Sequence, residues 1–380
     1  MFSEDGELER ERYIFIDMFI YILLPILLVF FLPFQKNKTA YGIVVLMLLL
    51  MNSMRAYTVG VDTVNYLFLN IEAGYLDRYE TEPFSKYLMQ NTPSNEFYLF
   101  AMGTLTIIPL ALRVRNYCRP VLSLLFFVLL GFYTGGFNIA RQMLGICIVF
   151  FGLPYVVEKK WLKFYICVAV AACFHNTAII ASVMPLIYTK LNMKNCFVFL
   201  SLSITYIVGV LFLSRLVLML APLIGDYSLY AEYVREGVFS LNRILLNIAF
   251  YIIYLCYDPQ HRNNFYMKLF YVSIIGYNLL AFSGAANRIA MYFSISQIVV
   301  FANYEYVKAK CKLLFKLITY GYAIAYYTLI IRSDLGGVIP YEVNPVYTQS
   351  VSITLLCEIL AVMIVFYIVD SHIHRHKELL

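Results

Sequence analysis

Four polar stretches interrupt an otherwise apolar chain and hold the residue types from which a chemical site could be built. In FNIARQMLGI, Asn138, Arg141, Gln142 and Gly145 fall at spacings of three, four and seven and so share one helix face. A charge at the centre of a membrane helix costs at least ~2.5 kcal/mol, so Arg141 must be shallow, paired or used. Its face suits a bundle interior or cavity, whereas an arginine in the first turn can also snorkel to the headgroups. RAYTVGVDTVNY supplies Arg55, Gly60, Asp62, Asn65 and Tyr66, although a Gly-Val-Asp turn is also what an ordinary loop contains. In FHNTA, His175 is either a packing residue or, with its near-neutral pKa, a proton acceptor. SGAANRIAMYF brings Asn287, Arg288 and Tyr292, beside small residues that permit close backbone approach.

Together with the later RSDLGGVIPYEVNP, which contains Arg332, Asp334, Pro340, Tyr341 and Glu342, these stretches suggest recognition of an anion with sugar attached. Arginine presents a planar fork that binds phosphate bidentately and keeps its proton. Tyrosine faces would stack on sugar rings. An anion transporter would use similar residues near the midplane.

The elements that must position these residues are membrane helices. Of 380 residues, 62% are hydrophobic and 14% charged, and the apolar residues come in long blocks. The composition predicts a polytopic all-α transmembrane bundle of about 11 to 13 spans, single-domain over 1–380. Outer loops are expected near 54–96, 215–243 and 332–348. The block from Tyr13 to Pro33 follows acidic residues rather than a basic signal region and reads as a retained helix. The eight cysteines show neither a disulfide framework nor a zinc spacing. No metal, cofactor or nucleic-acid partner is expected, since the basic residues are spread over helix ends, and HIHRHK reads as a solvated tail.

Short basic loops stay cytoplasmic, which puts QKNK, RVRNYCR, EKKWLK, YVKAKCKLLFK and the C-terminal tail inside and the N-terminus outside. That parity holds if 162–188 is a hairpin bent at His175 and Asn176; the rival is a single crossing here with an extra one near Leu216 to Ile224. On the hairpin topology every lysine but Lys86 falls inside, whereas most arginines fall on the outer face.

The ordered set RAYTVGVDTVNY, FNIARQMLGICIVF, ACFHNTAIIASVMPLIY, NRIAMYF and GGVIPY resembles the EpsG family, membrane proteins of exopolysaccharide and capsule clusters that are similar to Wzy-type polymerases. The resemblance covers roughly residues 40–345. It implies a GT-C-like helical architecture in a bacterial cytoplasmic (inner) membrane and polymerisation of repeat units carried on undecaprenyl pyrophosphate into exopolysaccharide, capsule or O-antigen. A flippase and a chain-length regulator of the same pathway are the implied partners. The acidic N-terminal extension and the loop from Arg78 to Glu96 depart from the pattern. In the expected reaction a sugar hydroxyl attacks an anomeric carbon and undecaprenyl pyrophosphate leaves. Arg141 and Arg288 would take the developing charge, with Arg55 as a further contact, and His175 or Asp62 would accept the proton. Tyr66, Asn138, Gln142, Asn287, Tyr292 and Tyr341 are the remaining candidate substrate contacts. The alternatives are a ligase-like transferase, a flippase or exporter without enzymatic activity, and an acyltransferase.

Overall fold

The computed structural model describes residues 18–71, 82–213, 215–216, 219, 239–281, 283–334 and 336–345. The expected span at 352–369, the basic tail and most of the expected outer loop at 215–243 lie outside the described residues. Among those described, the regular elements are helical, and β structure is limited to two isolated bridges, Arg55 with Val343 and Tyr257 with Val307. The apolar blocks dictate this, because in lipid each backbone N–H and C=O needs a partner that a helix supplies from its own segment.

The chain divides into two compact units. The described residues within 1–151, 170–176 and 323–380 form the first, and those within 152–169 and 177–322 form the second. Along the chain come Met18–Phe30 (α1), Lys38–Ser53 (α2), Thr63–Ile71 (α3), Pro83–Asn91 (α4), Asn95–Val114 (α5), Pro120–Leu129 (α6), Phe132–Asn138 (α7), Ala140–Val157 (α8) and Trp161–Phe174 (α9). After a 3-10 segment, Asn176–Val183, follow Met184–Lys190 (α10), Asn195–Val208 (α11), Leu241–Cys256 (α12) and Phe265–Leu279 (α13). The short helices Gly284–Asn287 (α14), Met291–Ser294 (α15) and Gln297–Ala302 (α16) lead to Lys312–Ser333 (α17). Helix starts follow local chemistry: the side chains of Asn37, Ser94 and Asn264 accept first-turn N–H groups of α2, α5 and α13, and Pro83 opens α4.

Among the described residues four helices are long and apolar enough to cross a membrane alone, within Asn95–Val114, Ala140–Val157, Asn195–Leu213 and Ala309–Ser333. A fifth is formed if α6 and α7, bent by 53°, count as one span. This is a membrane protein, but with fewer full-length crossings among these residues than the 11 to 13 expected spans. Some expected spans are unbroken helices of only 15 or 16 residues, as in α2, α12 and α13, and others are broken. The expected span 121–133 is interrupted at Gly131, whose φ of 73° is left-handed, and that at 289–304 is split into short turns. The segment 162–188 breaks at His175, the residue expected to carry the bend, between α9 and the 3-10 segment.

In the first unit α2 packs along α5. Two sequence-distant loops, 54–61 and 336–344, are laced together through their backbones: Ala56 N–H donates to Glu342 O (2.7 Å), Gly60 to Gly337 (2.8 Å), Val61 to Gly336 (3.0 Å) and Asn344 to Met54 (2.9 Å). Tyr21 and Tyr341 hydroxyls donate to the carbonyls of Val338 (2.6 Å) and Met51 (2.7 Å). In the second unit, Asn247 and Asn278 exchange reciprocal amide hydrogen bonds of 2.8 and 3.0 Å. There the Arg262 guanidinium takes the carbonyls of Leu255 and Tyr257 at the end of α12.

Gly60 sits at φ 97°, and a Cβ there would stand 2.7 Å from the Phe137 carbonyl oxygen. Gly60→Ala should therefore destabilise the detergent-solubilised protein by about 1 to 3 kcal/mol. Gly321→Ala, where an added Cβ meets nothing within 4 Å, should leave the thermal midpoint in place.

Candidate functional site

Glu82 stands at the N-cap of α4, but its side chain does not cap that helix. It reaches instead to two other elements of the first unit. Oε2 accepts from Arg141 Nη1 (2.5 Å), and Oε1 accepts the backbone N–H of Asn176 (3.0 Å) and faces His175 Nδ1 (3.0 Å). Only 9% of the Glu82 side chain is exposed, against 24% of Arg141 and 23% of His175.

Burial alone would raise the Glu82 carboxyl pKa. The His175 hydrogen bond, the Arg141 charge and two backbone N–H groups outweigh it and hold the group at about 2. Glu82 is therefore ionised at neutral pH.

The break in the apolar helix makes this arrangement possible. α9 ends at Phe174, which leaves helix-end carbonyls without an intrahelical donor. Ser85 Oγ donates to the Phe174 carbonyl (2.9 Å), and the rings of Phe84 and Phe174 meet edge to face at 5.5 Å. Both contacts pin the first turn of α4, and with it Glu82, beside the break. Beneath, Tyr66, Tyr98, Leu144 and Phe174 belong to one buried cluster.

Arg141 extends from the first turn of α8, with its guanidinium 5.7 Å from the centre of the Tyr66 ring. Its Nε is buried with no hydrogen-bond partner. Tyr66 in turn donates its hydroxyl to the Asn138 carbonyl (2.8 Å), and Asn138 Oδ1 accepts the Asp62 N–H (3.5 Å). Gln142, next to Arg141, is buried. Of the residues singled out by sequence, Tyr66, Asn138, Arg141 and His175 are thus linked in one chain of contacts through Glu82, and Asp62 touches its edge through the backbone.

Arg55 occupies a different environment in the same unit. It is only 1% exposed, donates from Nη1 to the carbonyl (2.5 Å) and side-chain oxygen (2.8 Å) of Asn52, and lies 4.9 Å from the Phe137 ring centre. Burial depresses its pKa to about 10, which leaves it charged at neutral pH. Among the described residues no carboxylate lies within ion-pair distance of it. Tyr341, whose hydroxyl binds the end of α2, is close enough to sense that charge.

In the second unit Arg288 is exposed at the start of a 3-10 turn. Asn287 Oδ1 is buried without a partner, and the fully buried Tyr292 places its hydroxyl 3.2 Å from Thr177 Oγ1. Among the described residues no three His, Cys, Asp or Glu side chains converge as a metal site.

A model described as EpsG family matches residues 38–343, more than half of the chain. The chain belongs to the EpsG family. The match takes in every member of the Glu82 cluster as well as Arg55, Arg288 and Tyr341, so the loop containing Glu82 lies inside the family region rather than outside it. Nothing matches the chain among curated proteins or among solved structures.

Glu82 is the residue that sequence reasoning missed. Its local signal is a glutamate before a helix-opening proline, in TEPFSKY; nothing local says that its carboxylate turns toward Arg141. Because its folded pKa lies below the ordinary 4.5, its stabilisation is present above that value and lost as pH falls toward about 2. The thermal midpoint of the wild type should fall across that range, and Glu82→Gln should begin lower and lose less.

Proposed function

We propose that this EpsG family protein is a membrane glycosyltransferase that polymerises oligosaccharide repeat units carried on undecaprenyl pyrophosphate, with undecaprenyl pyrophosphate as leaving group. Two findings support the reading: family membership, and an arginine and a histidine organised by one buried carboxylate. The observation that carries it is the state of Arg141. One nitrogen is tied to Glu82 while Nε is buried and unsatisfied, a condition that costs about 1 to 3 kcal/mol until an acceptor arrives. A diphosphate oxygen is such an acceptor and binds an arginine fork with charge assistance.

In the proposed reaction a hydroxyl of one lipid-linked repeat attacks the anomeric carbon of the glycan on another. The bond from that carbon to the diphosphate oxygen breaks, and the electron pair leaves with the diphosphate. Since the leaving group is already good, orientation and stabilisation of developing charge are the main tasks. In the first unit Arg141 is assigned to the diphosphate, and Tyr66, Asn138, Gln142 and Tyr341 to the glycan and lipid headgroup. In the second unit Arg288, Asn287 and Tyr292 are assigned by themselves as candidate substrate contacts. Arg55, bonded to Asn52 and lying 4.9 Å from the Phe137 ring centre, is assigned a supporting role behind the substrate contacts of the first unit. The proposal includes a GT-C-like arrangement in the bacterial cytoplasmic membrane, with the N-terminus outside, the C-terminus inside, and a flippase and chain-length regulator as pathway partners.

Purified protein incubated with lipid-linked repeats should give a ladder of products on gel separation. Single repeats alone would overturn the polymerase assignment. Arg141→Lys should lose at least about 100-fold in rate, nearly as much as Arg141→Ala, because a point charge cannot reproduce the fork. A lysine variant with a normal ladder would remove the diphosphate role.

A further inference from the structure

The Glu82 carboxylate is surrounded by donors. Arg141 Nη1 occupies Oε2, and the Asn176 backbone N–H occupies Oε1, where His175 Nδ1 also arrives at 3.0 Å. An ionised carboxylate only accepts hydrogen bonds, so the ring nitrogen that meets it must carry a proton. In a neutral imidazole that leaves the lone pair on the opposite nitrogen, Nε2. The Asn176 N–H fixes this choice independently of the ring, since a backbone donor cannot turn away or exchange roles.

We infer that Glu82 is a positioning residue that locks His175 in the tautomer with a bare Nε2, and that this nitrogen is the general base of the glycosyl transfer. The inference rests on the polymerase reading and chooses between the two bases that the sequence left open. For Asp62, the hydrogen bonds among the described residues run through its backbone N–H and C=O, and none of them orients its carboxylate as Glu82 orients the imidazole. The proton balance is complete. As the acceptor oxygen bonds to the anomeric carbon, its proton passes to His175 Nε2, and the imidazolium later returns it to water. Glu82 gains no proton, because Arg141 holds it ionised; its negative charge stabilises the imidazolium instead.

The same carboxylate therefore serves both halves of the reaction. Oε2 orients the arginine that meets the leaving diphosphate, and Oε1 orients the base that meets the incoming hydroxyl. The two oxygens of one carboxylate thus anchor both side chains.

The charged groups facing His175 are Glu82 from the start of α4 and, across that carboxylate, Arg141 from α8. Replacing Glu82 by Gln removes the carboxylate that selects the ring's tautomer. Expected for Glu82→Gln is a kcat about 100-fold lower, with the single His175 tautomer lost on nitrogen NMR. His175→Asn, whose amide can still donate to Glu82, should stay folded by thermal melting yet make no ladder. His175→Ala should regain part of its ladder when imidazole is added.

Glu82→Gln with wild-type rate and an unchanged His175 tautomer would overturn the inference, as would an active His175→Asn. Nitrogen NMR of the wild type labelled at its histidine imidazoles tests the tautomer without any turnover. A His175 signal with protonated Nδ1 and bare Nε2 is expected, and the reverse would overturn the inference even where the polymerase reading stands. A wild type that makes no ladder but shows the expected tautomer would instead count against the polymerase reading alone.

Discussion

A single carboxylate, Glu82, standing at the start of α4, ties together the first turn of α8 and the break after α9. Arg141 Nη1 from the one, and His175 Nδ1 and the Asn176 N–H from the other, meet its two oxygens. Each of those groups would be expensive alone. An arginine in the first turn of an apolar helix needs an anion, a histidine in an apolar segment needs a partner, and the N–H of Asn176 falls where one helix has stopped. The carboxylate would be equally costly in isolation, since burial raises its pKa, yet the donors more than reverse that. The cluster is stable because its members satisfy one another, although Arg141 retains a buried N–H with no acceptor.

Arg55 and Arg141 show how environment separates two identical side chains. Arg55 is fully buried, with Nη1 donating to both oxygens of Asn52, Nε buried without a hydrogen-bond partner, and the guanidinium near Phe137, in a loop laced to residues 336–344 through the backbone. Its hydrogen bonds close the end of α2. Arg141 keeps about a quarter of its side chain exposed and is paired with a carboxylate that also holds a histidine. From sequence both are arginines at the ends of apolar blocks, and only their partners assign them different work.

Much of the scaffold was legible in the chain. Blocks of apolar residues demand helices in lipid, and the helix starts at Asn37, Ser94 and Asn264 follow from short polar side chains at caps. A break at His175 was one of two ways to place the basic residues on both sides of this apolar run, and a helix end at Phe174 is what the structure shows. The number of full-length spans was less legible. A run such as 289–304 is mostly apolar, yet it is split into short turns around Ser294, Ser296 and Gln297, because average hydropathy does not report where a helix breaks.

What the sequence by itself determined is the class of the molecule and its punctuation: an all-helical membrane protein, with polar residues of the phosphate-binding and proton-accepting kinds at fixed places along it. Hydrophobic periodicity, capping chemistry and charge bias are local, so they survive in one dimension. The tertiary structure alone decided which carboxylate stands beside Arg141 and His175. Glu82 lies 59 residues from the first and 93 from the second. At those separations pairing is set by how α4 docks through Ser85 and Phe84 onto the end of α9, a consequence of packing that no local pattern encodes.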